Sequence, residues 1–105
     1  MTRFQLCALP LCFLVAALCR AEDTTLIEQG RELAQYCVGC HGIDGRTDID
    51  SHPRLAGQNQ AYLESALKAY RDGNRRGDLA DIMRQNARGL SDQEIRALAA
   101  YYSSL

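Results

Sequence analysis

Apolar side chains recur at helical spacing in four separate stretches of the chain, and no stretch shows the two-residue alternation typical of a strand. The first stretch contains a capping box, Thr25-Leu26-Ile27-Glu28, in which the Thr hydroxyl and the Glu carboxylate can satisfy free backbone donors. We therefore predict a helix that begins at Thr25 and runs into Cys37. Its apolar face comprises Leu26, Ile27, Gly30, Leu33, Ala34 and Cys37.

The second helix is expected to begin after Asn59, which is a suitable cap, and to end near Arg71, with Gly73 as a stop signal. Its apolar face comprises Tyr62, Leu63, Ala66, Leu67 and Tyr70. The preceding residues, 42–58, are polar and are punctuated by glycine and proline, which predicts irregular backbone.

A shorter third helix is predicted from Asp78 to Ala87, with Gly89 after it. The last helix has the clearest start, because Ser91-Asp92-Gln93-Glu94 is a second capping box with acidic residues where the helix dipole favours them. Its apolar stripe comprises Ile95, Leu98, Ala99, Tyr102 and Leu105. These patterns together predict an all-α fold.

The beginning of the chain has the pattern of an export signal. Arg3 provides a positive charge, the run Phe4–Leu18 is apolar over 15 residues, and small-residue cleavage is expected after Ala21. The run is shorter than the roughly 20 apolar residues of a membrane span. We therefore predict a cleaved signal peptide at 1–21 and one domain at 22–105, exported to the periplasm and without stable membrane insertion after cleavage. The alternative is that the segment is kept as a membrane anchor.

Removal of the signal simplifies the composition. The remaining 84 residues carry ten basic and 13 acidic side chains, a formal charge of −3. Of five cysteines only Cys37 and Cys40 remain, and of two methionines only Met83. A mildly acidic chain without a basic aromatic groove gives no indication of nucleic-acid binding. A domain this small often needs a cofactor, a metal or a disulfide to complete its core.

The segment Cys37-Val38-Gly39-Cys40-His41 is a Cys-x-x-Cys-His run, which is typical of covalent haem attachment. Two thiols that add to the two vinyl groups at one haem edge must lie about one helical turn apart. His41 follows on the same side of that turn and can offer a ring nitrogen to the iron. The run therefore indicates a cofactor, its covalent linkage and one axial ligand.

Two other kinds of site use Cys-x-x-Cys, namely dithiol redox centres and zinc sites. A dithiol protein of the thioredoxin type requires a βαβ pattern around the motif, which is absent here. A zinc site requires four ligands, and outside the signal segment the only candidates are Cys37, Cys40, His41 and His52. Adjacent Cys40 and His41 are hard to place around one tetrahedron, so both alternatives are disfavoured.

The whole segment after the signal resembles the small bacterial class I c-type cytochromes. The resemblance rests on Cys37–Gly42, Pro53–Gln58, Met83, Leu90–Ile95 and Leu98–Tyr102. It implies the cytochrome c fold, in which three to four helices surround one covalently bound haem. It also implies that the first and last helices cross near Gly30 and Tyr102.

The resemblance also implies the roles of individual residues. Cys37 and Cys40 would hold one haem c by thioether bonds, and His41 would be the proximal iron ligand. Pro53 would accept a hydrogen bond from the ring N–H of His41, which orients the ring and raises its basicity. Leu55 would pack on the haem face.

Met83 is the distal iron ligand that the resemblance implies. The competing ligand is His52, but its position next to Pro53 places it on the proximal side. The family often has two adjacent methionines at the distal position, whereas this chain has Ile82 before Met83.

The resemblance implies a periplasmic monohaem electron carrier. Two strong axial ligands leave no open iron position for a substrate, so no catalytic residues are expected. Its partners would be a redox donor and acceptor, including a larger dehydrogenase or oxidase subunit. One alternative is the haem c subunit of a periplasmic dehydrogenase complex. Another is a ligand-binding haem sensor or peroxidase, which would require a labile Met83.

Charge is unevenly distributed along the segment. Residues 22–66 have a net charge of −5, whereas residues 67–105 have a net charge of +2. Such asymmetry can orient a carrier toward an acidic surface of its partner and accelerate encounter at low salt. The arginines around the distal segment are Arg71, Arg75, Arg76, Arg84 and Arg88.

Overall fold

The computed structural model describes residues 9–77 and 79–105. Within these ranges the chain is helical and contains no strand, which confirms the all-α prediction. The elements are α1 (Leu9–Leu33), a 3-10 turn (Ala34–Tyr36), α2 (Val38–His41), α3 (Gln60–Arg71), α4 (Ala80–Ala87) and α5 (Asp92–Ser103).

The predicted start of the first helix at Thr25 is wrong. α1 already extends through this position, and the Thr25 hydroxyl donates a hydrogen bond to the carbonyl oxygen of Ala21, at 2.9 Å. Because the preceding residues are helical, the backbone donors that a capping box would satisfy already have partners one turn earlier. The downstream stripe is nevertheless correct, since Gly30 and Ala34 are buried.

The first half of α1 packs on nothing in the described part of the chain. Its large apolar side chains are all more than half exposed: Leu11, Phe13, Leu14, Val15 and Leu18. Residues 1–8 of the predicted signal lie outside the described residues. No described helix is both long enough and apolar enough to cross a membrane. Cleavage after Ala21 therefore stays a prediction.

α5 begins where its capping box predicts. The Glu94 amide donates to the Ser91 hydroxyl oxygen at 3.1 Å, and the Ser91 amide donates to the Glu94 carboxylate at 2.8 Å. The predicted stripe is buried from Ile95 to Tyr102. Leu105 is an exception, because α5 ends at Ser103 and leaves Leu105 36% exposed.

The first and last helices cross at Gly30. A Cβ atom there would lie 2.0 Å from the carbonyl oxygen of Ala97 and 2.7 Å from Cβ of Tyr101. Only a residue without a side chain allows the two backbones to approach this closely. The predicted crossing is confirmed, but Tyr101 rather than Tyr102 contacts the glycine, and Tyr102 lines an internal cavity.

The other two helices agree with the sequence pattern. The side chain of Asn59 accepts a hydrogen bond from the amide of Tyr62 at 2.9 Å and so caps α3. The backbone reverses at Gly73, where φ is +75°. α4 begins at Ala80 rather than Asp78, which lies outside the described residues. α3 packs against both α4 and α5.

Arg71 joins the end of α3 to the start of α5. Its Nη1 donates to a carboxylate oxygen of Asp92 at 2.7 Å, and its Nε donates to Asp72 at 2.9 Å. The hydrogen bond from Arg71 holds the pKa of Asp92 below its usual value. The ionised carboxylate of Asp92 therefore stabilises the folded state.

Gly30→Ala tests the helix crossing. The introduced methyl would overlap backbone atoms of Ala97, which cannot move aside as a side chain can. We expect a loss of about 1–3 kcal/mol in the free energy of unfolding, measured by denaturant titration of the matured protein. Gly89→Ala is the control, because nothing lies within 4 Å of its Cβ position. Equal stability of the two variants would contradict the crossing.

Asp92→Asn tests the ion pair that joins α3 to α5, through the pH dependence of the free energy of unfolding. Because the pKa of Asp92 is lowered in the folded state, its stabilising contribution is present above the pKa of the unfolded chain and is lost as the pH falls through the folded pKa. We expect the variant to be less stable than wild type near pH 7, with the difference vanishing in acid. A difference that does not change between neutral and acidic pH would contradict this role.

Candidate cofactor site

A cavity of about 510 Å³ lies between α2, the loop that follows it, and helices α3, α4 and α5. Apolar side chains from three helices line it, among them Leu63, Leu67, Ile82 and Leu98. All six predicted site residues line the same cavity: Cys37, Cys40, His41, Pro53, Leu55 and Met83. Residues separated by up to 46 positions in the chain therefore meet at one site.

His41 has one ring nitrogen paired and one unpaired. Its Nδ1 lies 2.9 Å from the carbonyl oxygen of Pro53. Because a carbonyl only accepts, Nδ1 must carry the proton, and Nε2 keeps its lone pair. Nε2 is buried and has no hydrogen-bond partner among the described protein atoms. A buried polar atom without a partner costs about 1–3 kcal/mol, so this nitrogen is suited to an exogenous ligand.

The two cysteines are positioned by the short helix α2. Cys37 is its N-cap, and the carbonyl oxygen of Cys37 accepts hydrogen bonds from the amides of Cys40 at 3.3 Å and His41 at 2.9 Å. This single turn brings both thiols and the imidazole to the cavity. Burial raises the pKa of the Cys37 thiol, whereas Cys40 is exposed.

No disulfide joins the four cysteines in the described part of the chain. Cys12 and Cys19 are exposed on α1 and do not line the cavity.

Met83 reaches the cavity from α4, a different element from the one that carries His41. It is partly buried, whereas the preceding Ile82 is 46% exposed. His52 lines the cavity beside His41, because the two rings meet edge to face with centroids 6.1 Å apart. Its Nδ1 is 2.9 Å from the hydroxyl of Ser51.

Two further features were not anticipated from the sequence. Tyr102 lines the cavity, and its buried hydroxyl has no hydrogen-bond partner among the described protein atoms. Arg75 also reaches the cavity, with its guanidinium 4.7 Å from the centre of the Tyr70 ring. The sequence did contain a signal for the position of Tyr102. Leu98 and Tyr102 are four residues apart, and residues at this spacing share a helix face.

The residues present fit a haem attached to the chain. The cavity is lined by apolar groups that suit a large flat ring, and two thiols one helical turn apart suit its two vinyl groups. The unpaired Nε2 of His41 is a suitable iron ligand. Chemistry and placement therefore agree with the Cys-x-x-Cys-His pattern.

Comparison with known proteins gives the same result. The cytochrome c family model matches residues 27–105. Cytochrome c-554(548) of Halomonas halodenitrificans is 51% identical over 75 residues, which cover 71% of this chain and 90% of that protein. The thiosulfate dehydrogenase electron acceptor of Stutzerimonas stutzeri is 44% identical over 69 residues, which cover 66% of this chain but only 32% of that protein.

A solved structure, that of reduced recombinant cytochrome c4 from Pseudomonas stutzeri, superposes with a TM-score of 0.72 at 36% identity. The match covers 78% of this chain and 49% of that one, so this chain spans about half the length of the cytochrome c4 chain.

The fold and the site therefore define a small bacterial class I c-type cytochrome, and the chain belongs to the cytochrome c family. It carries a covalently bound haem c, and Cys37 and Cys40 are the two cysteines of its attachment motif. Its function is that of an electron carrier.

Proposed function

We propose that this chain is a periplasmic carrier of single electrons whose haem iron is held by His41 and Met83. The observation that supports this proposal most strongly is the buried, unpaired Nε2 of His41, in the same cavity as Met83. The bound haem supplies reversible one-electron chemistry between ferric and ferrous iron.

His41 is proposed as the proximal ligand because its ring has one usable orientation. The hydrogen bond from Nδ1 to the Pro53 carbonyl fixes the ring and directs Nε2 inward. Such a bond also raises the basicity of the coordinating nitrogen. Leu55, partly buried in the same loop, is proposed to pack on the haem face.

Met83 is proposed as the distal ligand because a thioether is a soft, uncharged donor. It is the only methionine in the sequence besides Met1. His/Met ligation raises the reduction potential of a haem c. It also leaves no coordination position for a substrate, which supports a carrier rather than an enzyme.

Export is proposed from the predicted signal at 1–21. The described part of this segment is helical and exposes its apolar side chains, so its removal would cost the fold little burial. An exposed apolar helix of this kind suits a segment that is recognised during export and then cleaved.

Proposed partners are redox proteins, including dehydrogenases, as the name of the Stutzerimonas stutzeri relative suggests. Arginines lie beside the cavity and on the neighbouring surface. Arg75 lines the cavity itself, and Arg71, Arg84 and Arg88 line an adjacent groove. We propose that this basic surface meets an acidic surface of the partner.

Met83→Ala tests the proposed ligation. Loss of the thioether should open the sixth coordination position, lower the midpoint potential in a redox titration and change the visible spectrum of the oxidised protein. Ile82→Ala is the matched control, because Ile82 is the neighbouring residue and also lines the cavity. If the Met83 variant kept the wild-type potential and spectrum, another residue would be the ligand.

Combined substitution of Arg75, Arg84 and Arg88 by Gln tests the docking surface. We expect slower electron transfer to the partner at low salt and a weaker dependence of the rate on ionic strength. Arg31→Gln is the control, because Arg31 lies on α1 and pairs with Glu28 of the same helix. An unchanged salt dependence in the triple variant would rule out docking through these arginines.

A further inference from the structure

The hydroxyl of Tyr102 is an unusual feature of the cavity wall. Tyr102 is 4% exposed, and its hydroxyl oxygen makes no well-formed hydrogen bond with any described protein atom. A buried phenol normally finds a partner, because burial of an unpaired hydroxyl is unfavourable. Among the described residues, one other buried side-chain atom lacks a partner, Nε2 of His41, and the cofactor motif accounts for it.

The sulfur of Cys37 is the candidate partner for this hydroxyl. Cys37 packs against the buried cluster that contains Tyr102, and both residues line the cavity. Burial raises the pKa of the Tyr102 phenol. The phenol therefore stays protonated at neutral pH and can donate a hydrogen bond.

The Tyr102 ring is held firmly in this position. A Cβ atom at Gly45 would lie 2.9 Å from Cδ1 and 3.1 Å from Cε1 of the ring, so the glycine provides the space that the ring occupies. Gly45 has a φ of +72°, which favours glycine. In addition, the carbonyl oxygen of Tyr102 accepts a hydrogen bond from the Gly57 amide at 2.8 Å.

We propose that Tyr102 is a positioning residue for the haem linkage, whose hydroxyl donates a hydrogen bond to the Cys37 sulfur in the matured protein. This inference rests on haem attachment at Cys37. A thioether sulfur has no proton and can only accept, so Tyr102 must be the donor.

The hydrogen bond has a consequence for electron transfer. It withdraws electron density from the sulfur and so from the attached edge of the haem, which favours the ferrous state. Outer hydrogen bonds are an established way for a protein to tune a haem. Tyr102 thereby raises the reduction potential in addition to the effect of the axial ligands.

Tyr102→Phe in the haem-loaded protein tests this inference, because it removes only the hydroxyl. We expect a lower midpoint potential and a shifted C–S stretching band in the resonance Raman spectrum. Tyr101→Phe is the matched control: its ring lies 5.1 Å from that of Tyr102, but its Cβ faces the helix crossing at Gly30. The control should leave the potential and the C–S band unchanged.

A second measurement needs no variant. Complete exchange of the wild-type protein into D2O should shift the C–S band, because the donated proton becomes a deuteron. Absence of this shift, or an unchanged potential and band in Tyr102→Phe, would overturn the inference. Matured wild-type protein without covalent haem would instead overturn the proposed function, so the two failures are distinguishable.

Discussion

The fold depends on an interior that the polypeptide does not fill by itself. A cavity of about 510 Å³ lies among helices α3, α4 and α5, and Ile95 is the only large side chain that is fully buried in the described part of the chain. At the cavity wall, His41 keeps a buried nitrogen without a protein partner. Both features suit a bound haem, which fills the cavity and offers its iron to the unpaired nitrogen, so the cofactor completes the core.

This constraint explains the arrangement of the less regular parts. The loop between α2 and α3 brings the Pro53 carbonyl to the imidazole of His41 and places Leu55 at the cavity. The close crossing of α1 and α5 at Gly30 fixes the direction from which Cys37 and Tyr102 approach. Electron transfer benefits, because a haem that is held by packed helices and fixed ligands changes its surroundings little when its charge changes.

Local signals in the sequence predicted the elements that local interactions determine. The capping box at Ser91 and the Asn59 cap involve residues within one turn, and both form as expected. The capping box predicted at Thr25 does not start a helix, because a preceding helical segment satisfies the same backbone donors. Spacing alone could not decide whether Tyr101 or Tyr102 meets Gly30, because adjacent helical residues differ by about 100° and the crossing geometry selects one. The contact between Gly45 and the Tyr102 ring joins residues that are distant in sequence, so no local pattern predicts it.

The proposed ligation by His41 and Met83 leaves the haem iron without a position open to an external ligand. The most direct test is the visible spectrum of the reduced, natively matured protein recorded with and without carbon monoxide. A haem c spectrum that the gas leaves unchanged is the predicted result, since His41 and Met83 would occupy both axial positions. A spectrum that shifts on addition of the gas would contradict this ligation and would favour a ligand-binding haem protein.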